Sequence, residues 1–282
     1  FPEHDMEKWN LFKEYCKQDV EVERAIEDHL KDYPVPMQEW TNWHYDQTIN
    51  QQGTQLDLAL INGALELSDQ AALKLGDDIR RVSGIDNPNS VAQLKQWLSE
   101  QLGKDIDKLG KEAVNELLEA PQVKANPAVY YVLKKRKEMA KSSVKKYTAM
   151  ENAVCKDGRV RGLLQFYGAN RTGRWAGRLV QVQNLPRNYI SELSLARNLV
   201  KQENAAMLEL TYGSLPDTIS QLIRTAFIPK DGTQFYVSDF SAIEARVIAW
   251  YAGETWRQKV FETGGDIYCA SANQMFHVPV EK

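Results

Sequence analysis

A predominantly helical α+β protein is what this sequence predicts, and three observations carry the prediction. Stretches between residues 53 and 139 repeat apolar side chains at helical spacing. Strand-like runs are short and fall in the second half of the chain, around 153–166 and 235–237. There, Phe235-Tyr236-Val237-Ser238-Asp239-Phe240-Ser241-Ala242-Ile243-Glu244-Ala245-Arg246 passes from an apolar run to a helical period and reads as strand, turn and helix.

The elements come in order. Trp9, Phe12, Tyr15, Val20 and Ile26 mark an amphipathic opening helix. Its i, i+4 spacing places Tyr15 and Asp19 on one face. Residues 53–75 form the next helical pattern. Asp86-Asn87-Pro88-Asn89-Ser90 punctuates it, and Val91, Leu94, Trp97, Leu98 and Leu102 resume the period. A short helix is expected within 103–118, ending near Pro121. Asn126-Pro127 opens a longer one, with Tyr130, Tyr131, Leu133 and Met139 facing a core. Its opposite face carries Lys134, Lys135, Arg136 and Lys137, continued by Lys141, Lys145 and Lys146. Such a run serves either as a solvated face or as a track for phosphates. Asp157-Gly158-Arg159 predicts a hairpin turn between strands at 153–156 and 160–166.

Composition excludes several classes. With 282 residues the chain holds two or three packed units. No apolar run approaches the length of roughly 18 residues that a membrane span needs, and no signal peptide is visible. Cys16, Cys155 and Cys269 are isolated and odd in number, which suits a reducing cytoplasm. The four histidines show no zinc spacing.

Net charge is only −3, yet its distribution is lopsided. Residues 124–187 hold 15 Lys and Arg against 3 Asp and Glu, a local +12, leaving 20 against 35, or −15, elsewhere. Segregation of this kind focuses positive potential on one face, the footprint of phosphate-backbone binding. Tyr130, Tyr131, Tyr147, Phe166, Tyr167 and Trp175 are interleaved in the band.

Within it stands Arg171-Thr172-Gly173-Arg174-Trp175-Ala176-Gly177-Arg178, followed by Gln181-Val182-Gln183-Asn184-Leu185-Pro186-Arg187. Glycines admit close backbone approach, and guanidinium forks match phosphate oxygens or base edges. Gln183 and Asn184 add amides suited to minor-groove acceptors. A plain solvated basic loop is the other reading. For Asp239 two readings also stand. A carboxylate at a strand end is a good metal ligand. Equally, Ser241 and Glu244 spell a capping box, and Asp239 then adds charge near the helix dipole.

Taken together, these residues resemble family A DNA polymerases, the bacterial polymerase I type. Residues 171–187 resemble the primer-grasping motif, 239–246 resemble motif A, and Arg224-Thr225-Ala226-Phe227 resembles the segment leading into it. Gly265-Asp266-Ile267-Tyr268 and Phe276-His277-Val278-Pro279 resemble the stretch C-terminal to motif A. The wording is most similar to phage and prophage members. The resemblance implies that Asp239 bridges two Mg²⁺ ions, with the Phe240 carbonyl as a ligand of one. It makes Glu244 the residue that crowds the sugar 2′ position and Arg174 a reader of the minor groove at the primer terminus. Gln183 and Asn184 become polar duplex contacts. Arg171 and Arg178, with Lys141 and Lys145, are expected on DNA phosphates. Two departures stand out: Ala242 replaces a frequent glutamine, and Tyr268 replaces a frequent phosphate-contacting histidine.

Four regions are implied: 1–33 as the end of a 3′–5′ exonuclease-like domain, 34–86 as a helical connector, 87–150 as a helical thumb, and 151–282 as a partial antiparallel-sheet palm. Tyr15 and Asp19 resemble the last motif of DEDD-type exonucleases, without their partner carboxylates. The nucleotide-gripping helix and the His-Asp-Glu hairpin of the family do not occur before Lys282; His4-Asp5 sits in a polar stretch and is unrelated. The expectation is a central slice of a larger enzyme that binds primer–template DNA but does not polymerise deoxynucleoside triphosphates by itself. A non-catalytic stand-alone DNA-binding module is the alternative, and a metal nuclease built on Asp239 and Glu244 a weaker one. No membrane partner is expected; oligomeric state is left open.

Overall fold

The computed structural model describes residues 2–139, 144–277 and 279. Its architecture is α+β and predominantly helical, with small antiparallel sheets. The chain divides into two bodies, Phe1–Asp231 and Gly232–Lys282.

The first body begins with α1 (Met6–Leu30) and α2 (Met37–Gln52), then β1 (Thr54–Leu56) and the long α3 (Leu58–Ser83). Next come α4 (Val91–Leu102), α5 (Lys111–Glu119), α6 (Pro121–Lys124), α7 (Pro127–Met139) and α8 (Val144–Ala153). After these stand β2 (Arg159–Val160), β3 (Leu164–Ala169), β4 (Arg174–Gly177), α9 (Leu193–Lys201), α10 (Ala205–Tyr212), α11 (Leu215–Leu222) and β5 (Phe227–Ile228). One sheet runs β2-β1-β5 and the other pairs β3 with β4, all antiparallel.

Helix ends obey local chemistry. Asp57 caps α3 by accepting from the Leu60 N–H at 3.2 Å, and Ser90 caps α4 by accepting from Gln93 at 3.3 Å. Between them, Gly84 closes α3 in the left-handed conformation, so the punctuation at 86–90 falls where the sequence places it. The 53–75 pattern is corrected at its start, because residues 54–56 form β1 and the helix begins at Leu58. Asp57 also receives Arg197 and Lys201 of α9, the latter at 2.6 Å, and its N–H donates to Ala226 O at 2.8 Å. A largely buried carboxylate is thus satisfied from its own helix and from α9.

Two hydrophobic cores fill this body. One gathers Leu60, Ile61 and Leu67 of α3 with Tyr147 and Met150 of α8, Val200 of α9, Leu208 of α10 and Ile219 of α11. The other joins Ile79 at the far end of α3 to Leu94 and Leu98 of α4, Val114 of α5 and Val129, Val132 and Leu133 of α7. On α7 the inward positions are therefore Val129, Val132 and Leu133; Tyr130 is exposed and Tyr131 half-buried, contrary to the sequence expectation. Tyr147 is likewise no surface aromatic. It is fully buried, its hydroxyl donates to Ile219 O at 2.9 Å, and burial pushes the phenol pKa above its ordinary value.

The expected hairpin strands are also corrected. The turn forms, with Gly158 N–H donating to Cys155 O at 2.9 Å, but α8 runs through Ala153 and only an isolated bridge joins Val154 to Val160. β2 pairs instead with β1, about a hundred residues earlier, and 160–166 breaks into β2 and β3. Helix α1 carries the anticipated apolar positions yet buries none of its residues.

The second body contains α12 (Ile243–Tyr251), α13 (Thr255–Glu262) and α14 (Ile267–Phe276). Consecutive helices pack together, with the Arg246 guanidinium 4.4 Å from the centre of the Phe261 ring. Ala249 is its sole buried residue among those described.

Candidate nucleic-acid interface

The arginine motif folds as a hairpin. β3 and β4 place Leu164 opposite Gly177, Gln165 opposite Ala176 and Ala169 opposite Arg174. Between the last two pairs, residues 166–168 face the single residue Trp175, so the ladder bulges. Arg171 lies in the connecting turn, Arg174 opens β4 and Arg178 comes just after it; all three are exposed. Gly173 occupies positive φ (+66°), and a Cβ there would lie 2.9 Å from the Tyr167 ring. The turn thus needs glycine for its conformation and for its contact.

Several long-range bonds hold the hairpin's root. Asn50 of α2 brackets Leu164, donating to its carbonyl at 2.8 Å and accepting from its N–H at 3.0 Å. Arg159 donates to the carbonyls of Gln52 and Gly53, each at 2.7 Å, and Arg161 to that of Gln51 at 2.9 Å, completing the carbonyl end of α2. Arg161 also grips Asp157 with two bonds of 2.9 and 2.7 Å, which holds that carboxyl down at about 2. Beyond β4, Lys146 of α8 donates to Val180 O at 2.6 Å. Arg224 donates to the carbonyls of Pro186 and Leu185 at 2.9 and 2.8 Å.

These clamps position the amides. The backbone turn that contains Gln183 and Asn184 brings Gln183 onto β4, so close that a Cβ on Gly177 would sit 1.8 Å from its Oε1. Asn184 lies 3.5 Å from Gln181 Oε1 and is exposed. Lys145 is exposed on α8, while Lys141 lies outside the described residues. Sequence patterning missed Asn50 as an anchor, for its partner is 114 residues away and no local pattern announces it. Lys146 belongs to the charge run and Arg224 to the Arg224-Thr225-Ala226-Phe227 segment, yet each is engaged with backbone carbonyls.

In the second body the expectation fails in its local form. Residues 233–240 have no strand, and Tyr236 and Val237 are 88% and 92% exposed. A strand exists only with a hydrogen-bonding neighbour, and no described residue of this body provides one. The cap position differs too. Ala242, not Ser241, is the residue preceding α12, at φ +51°, and it makes no side-chain cap; Arg246 Nε donates to Ser241 O at 2.8 Å. Asp239, Phe240 and Glu244 are all exposed. Asp239 and the Phe240 carbonyl offer oxygen donors of the kind Mg²⁺ takes. Among the described residues, however, no three His, Cys, Asp or Glu side chains cluster as a metal site, so these donors fit only part of one. Tyr15 and Asp19 are exposed on α1, one turn apart.

The site is thus a basic hairpin with glycines at its tight points and the Gln183 amide laid over one strand. Comparison gives the class: residues 63–282 match the model of DNA polymerase family A, and the chain belongs to that family. It is 56% identical over 280 residues to the DNA polymerase of Bacillus phage SP02, covering 99% of this chain and 43% of that protein. Against the thermostable DNA polymerase I of Thermus aquaticus, identity is 27% over 236 residues, 81% of this chain and 25% of the relative. The chain thus spans less than half the length of these relatives.

Proposed function

We propose that this chain is the DNA-gripping part of a template-directed DNA polymerase, with 87–150 as thumb, 151–282 as part of the palm, 34–86 as connector and 1–33 as the end of an exonuclease-like domain. The observation that carries the reading is the anchored arginine hairpin within a family A sequence. Arg171, Arg178, Lys141 and Lys145 engage DNA phosphates, Arg174 reaches the minor groove at the primer terminus, and Gln183 and Asn184 contact the neighbouring duplex. In a complete polymerase, Asp239 and the Phe240 carbonyl would hold Mg²⁺, and Glu244 would crowd the sugar 2′ position. The chemistry that Mg²⁺ would supply there is Lewis-acid activation of a primer hydroxyl and neutralisation of charge on the pyrophosphate leaving a deoxynucleoside triphosphate. Asp239 contributes one carboxylate, so residues 1–282 by themselves bind primer–template without extending it. No helix among the described residues is long and apolar enough to cross a membrane; the compartment we assign is the cytoplasm.

Fluorescence anisotropy of a labelled primer–template, titrated at several salt concentrations, tests the grip. Binding should weaken steeply with salt, as counterions are released from neutralised phosphates. Arg174→Ala should lose about fivefold or more at a primer terminus and less on blunt duplex; equal loss on both removes its role at the terminus. Nucleotide incorporation by residues 1–282 with Mg²⁺ would refute their predicted inactivity.

A further inference from the structure

The hairpin carries aromatic surface that phosphate binding does not use. Neighbouring residues of a regular strand point to opposite faces, yet Phe166 and Tyr167 do not behave so. The bulge sets three residues against Trp175, and Tyr167 takes φ +52°. In consequence the Phe166 ring lies 5.8 Å from that of Tyr167 and 6.1 Å from that of Trp175, edge to face with both. Tyr167 is further seated against Gly173. Two of the three rings remain open, Trp175 at 38% and Tyr167 at 49% exposure. Arg171, Arg174 and Arg178 border them along the chain, within a region whose net charge is +12.

Preordered rings among cations fit a ligand that has both flat faces and negative charge. Protein partners with an acidic apolar patch lack the repeated flat faces, and intact duplex hides its base faces in the stack. We propose that Trp175 and Tyr167, buttressed by Phe166, form a stacking platform for unpaired bases of single-stranded DNA adjoining the duplex. The inference rests on the DNA-gripping reading above and adds to it a contact that is independent of sequence, since every base has a π-face. Phe166 acts here as a positioning residue. Its ring props the other two.

The test compares two DNAs of equal duplex length, one blunt and one with a single-stranded 5′ overhang, by anisotropy with the 282-residue chain. The unaltered chain should prefer the overhang. Trp175→Ala and Tyr167→Ala should each reduce overhang affinity about fivefold or more, as expected for a lost stacking contact, and reduce blunt-duplex affinity distinctly less. Trp175→Phe should recover most of the preference, which separates stacking from a folding defect. Equal losses on both DNAs, or an unchanged overhang preference in both alanine variants, overturn the platform while leaving the grip intact. Failure of the unaltered chain to bind either DNA overturns both.

Discussion

The arginine hairpin and the Asp239 segment share a family signature but not a structural condition. At the hairpin, Asn50, Arg159, Arg161, Lys146 and Arg224 each bond to backbone from a distant part of the chain or close a neighbouring end. Along 233–240 the backbone forms no strand, and Phe235, Tyr236 and Val237 are exposed. The right residue types, in the right order, do not by themselves make a site. Partners for the backbone do.

The strongest contrast comes from emptying each region. Leu67→Ala removes a fully buried side chain from the first core and should cost about 2–5 kcal/mol in urea unfolding. Val237→Ser, in the strandless segment, should stay within about 0.5 kcal/mol; a large loss there would mean that Val237 is covered in solution. A finer probe is Asn50→Ala. It deprives Leu164 of both side-chain partners of its backbone and should cost about 2 kcal/mol, with faster amide exchange at β3. Unchanged exchange would show that the hairpin stands without the Asn50 bracket. Exchange itself should separate the regions, with slow amides at Leu56 and fast ones from 234 to 240.

The smallest effect concerns pH. Asp157 is held at about 2, below its ordinary 3.8, chiefly by the side-chain hydrogen bond from Arg161. A depressed carboxylate contributes stability that is present above the unfolded pKa and lost as pH falls through the folded one. The window therefore runs from 3.8 down to about 2. In Arg161→Ala, the Asp157 titration seen by carboxyl NMR should move up toward 3.8. An unmoved inflection would assign the depression to the backbone N–H of Arg159, which also approaches Asp157 at 3.3 Å.

Much of the fold was legible where chemistry is local. The 86–90 cluster announces a break with Ser90 ready to cap the next helix, and the arginines with glycines announce a surface rather than a core. What escaped was decided at a distance. The turn at 157–159 is evident in sequence, but the partner of β2 is β1, fixed by Gln55 and Thr54 far upstream. Tyr147 looks like a surface aromatic among lysines until α11 supplies a carbonyl for its hydroxyl. The apolar run 235–237 spells a strand, and Ser241 with Glu244 spells a cap. The first finds no pairing strand among the described residues, and the residue before α12 is Ala242, in the left-handed conformation, in place of Ser241.

Helix α3 imposes a mechanical constraint. Its 26 residues rise about 39 Å at 1.5 Å per residue, and it supplies side chains to both cores of the first body. The cores are thus mounted on one continuous beam, not strung on a loop. Any displacement of one against the other must load that beam in bending or twist, so motion of the α4–α7 cluster is elastic and self-restoring.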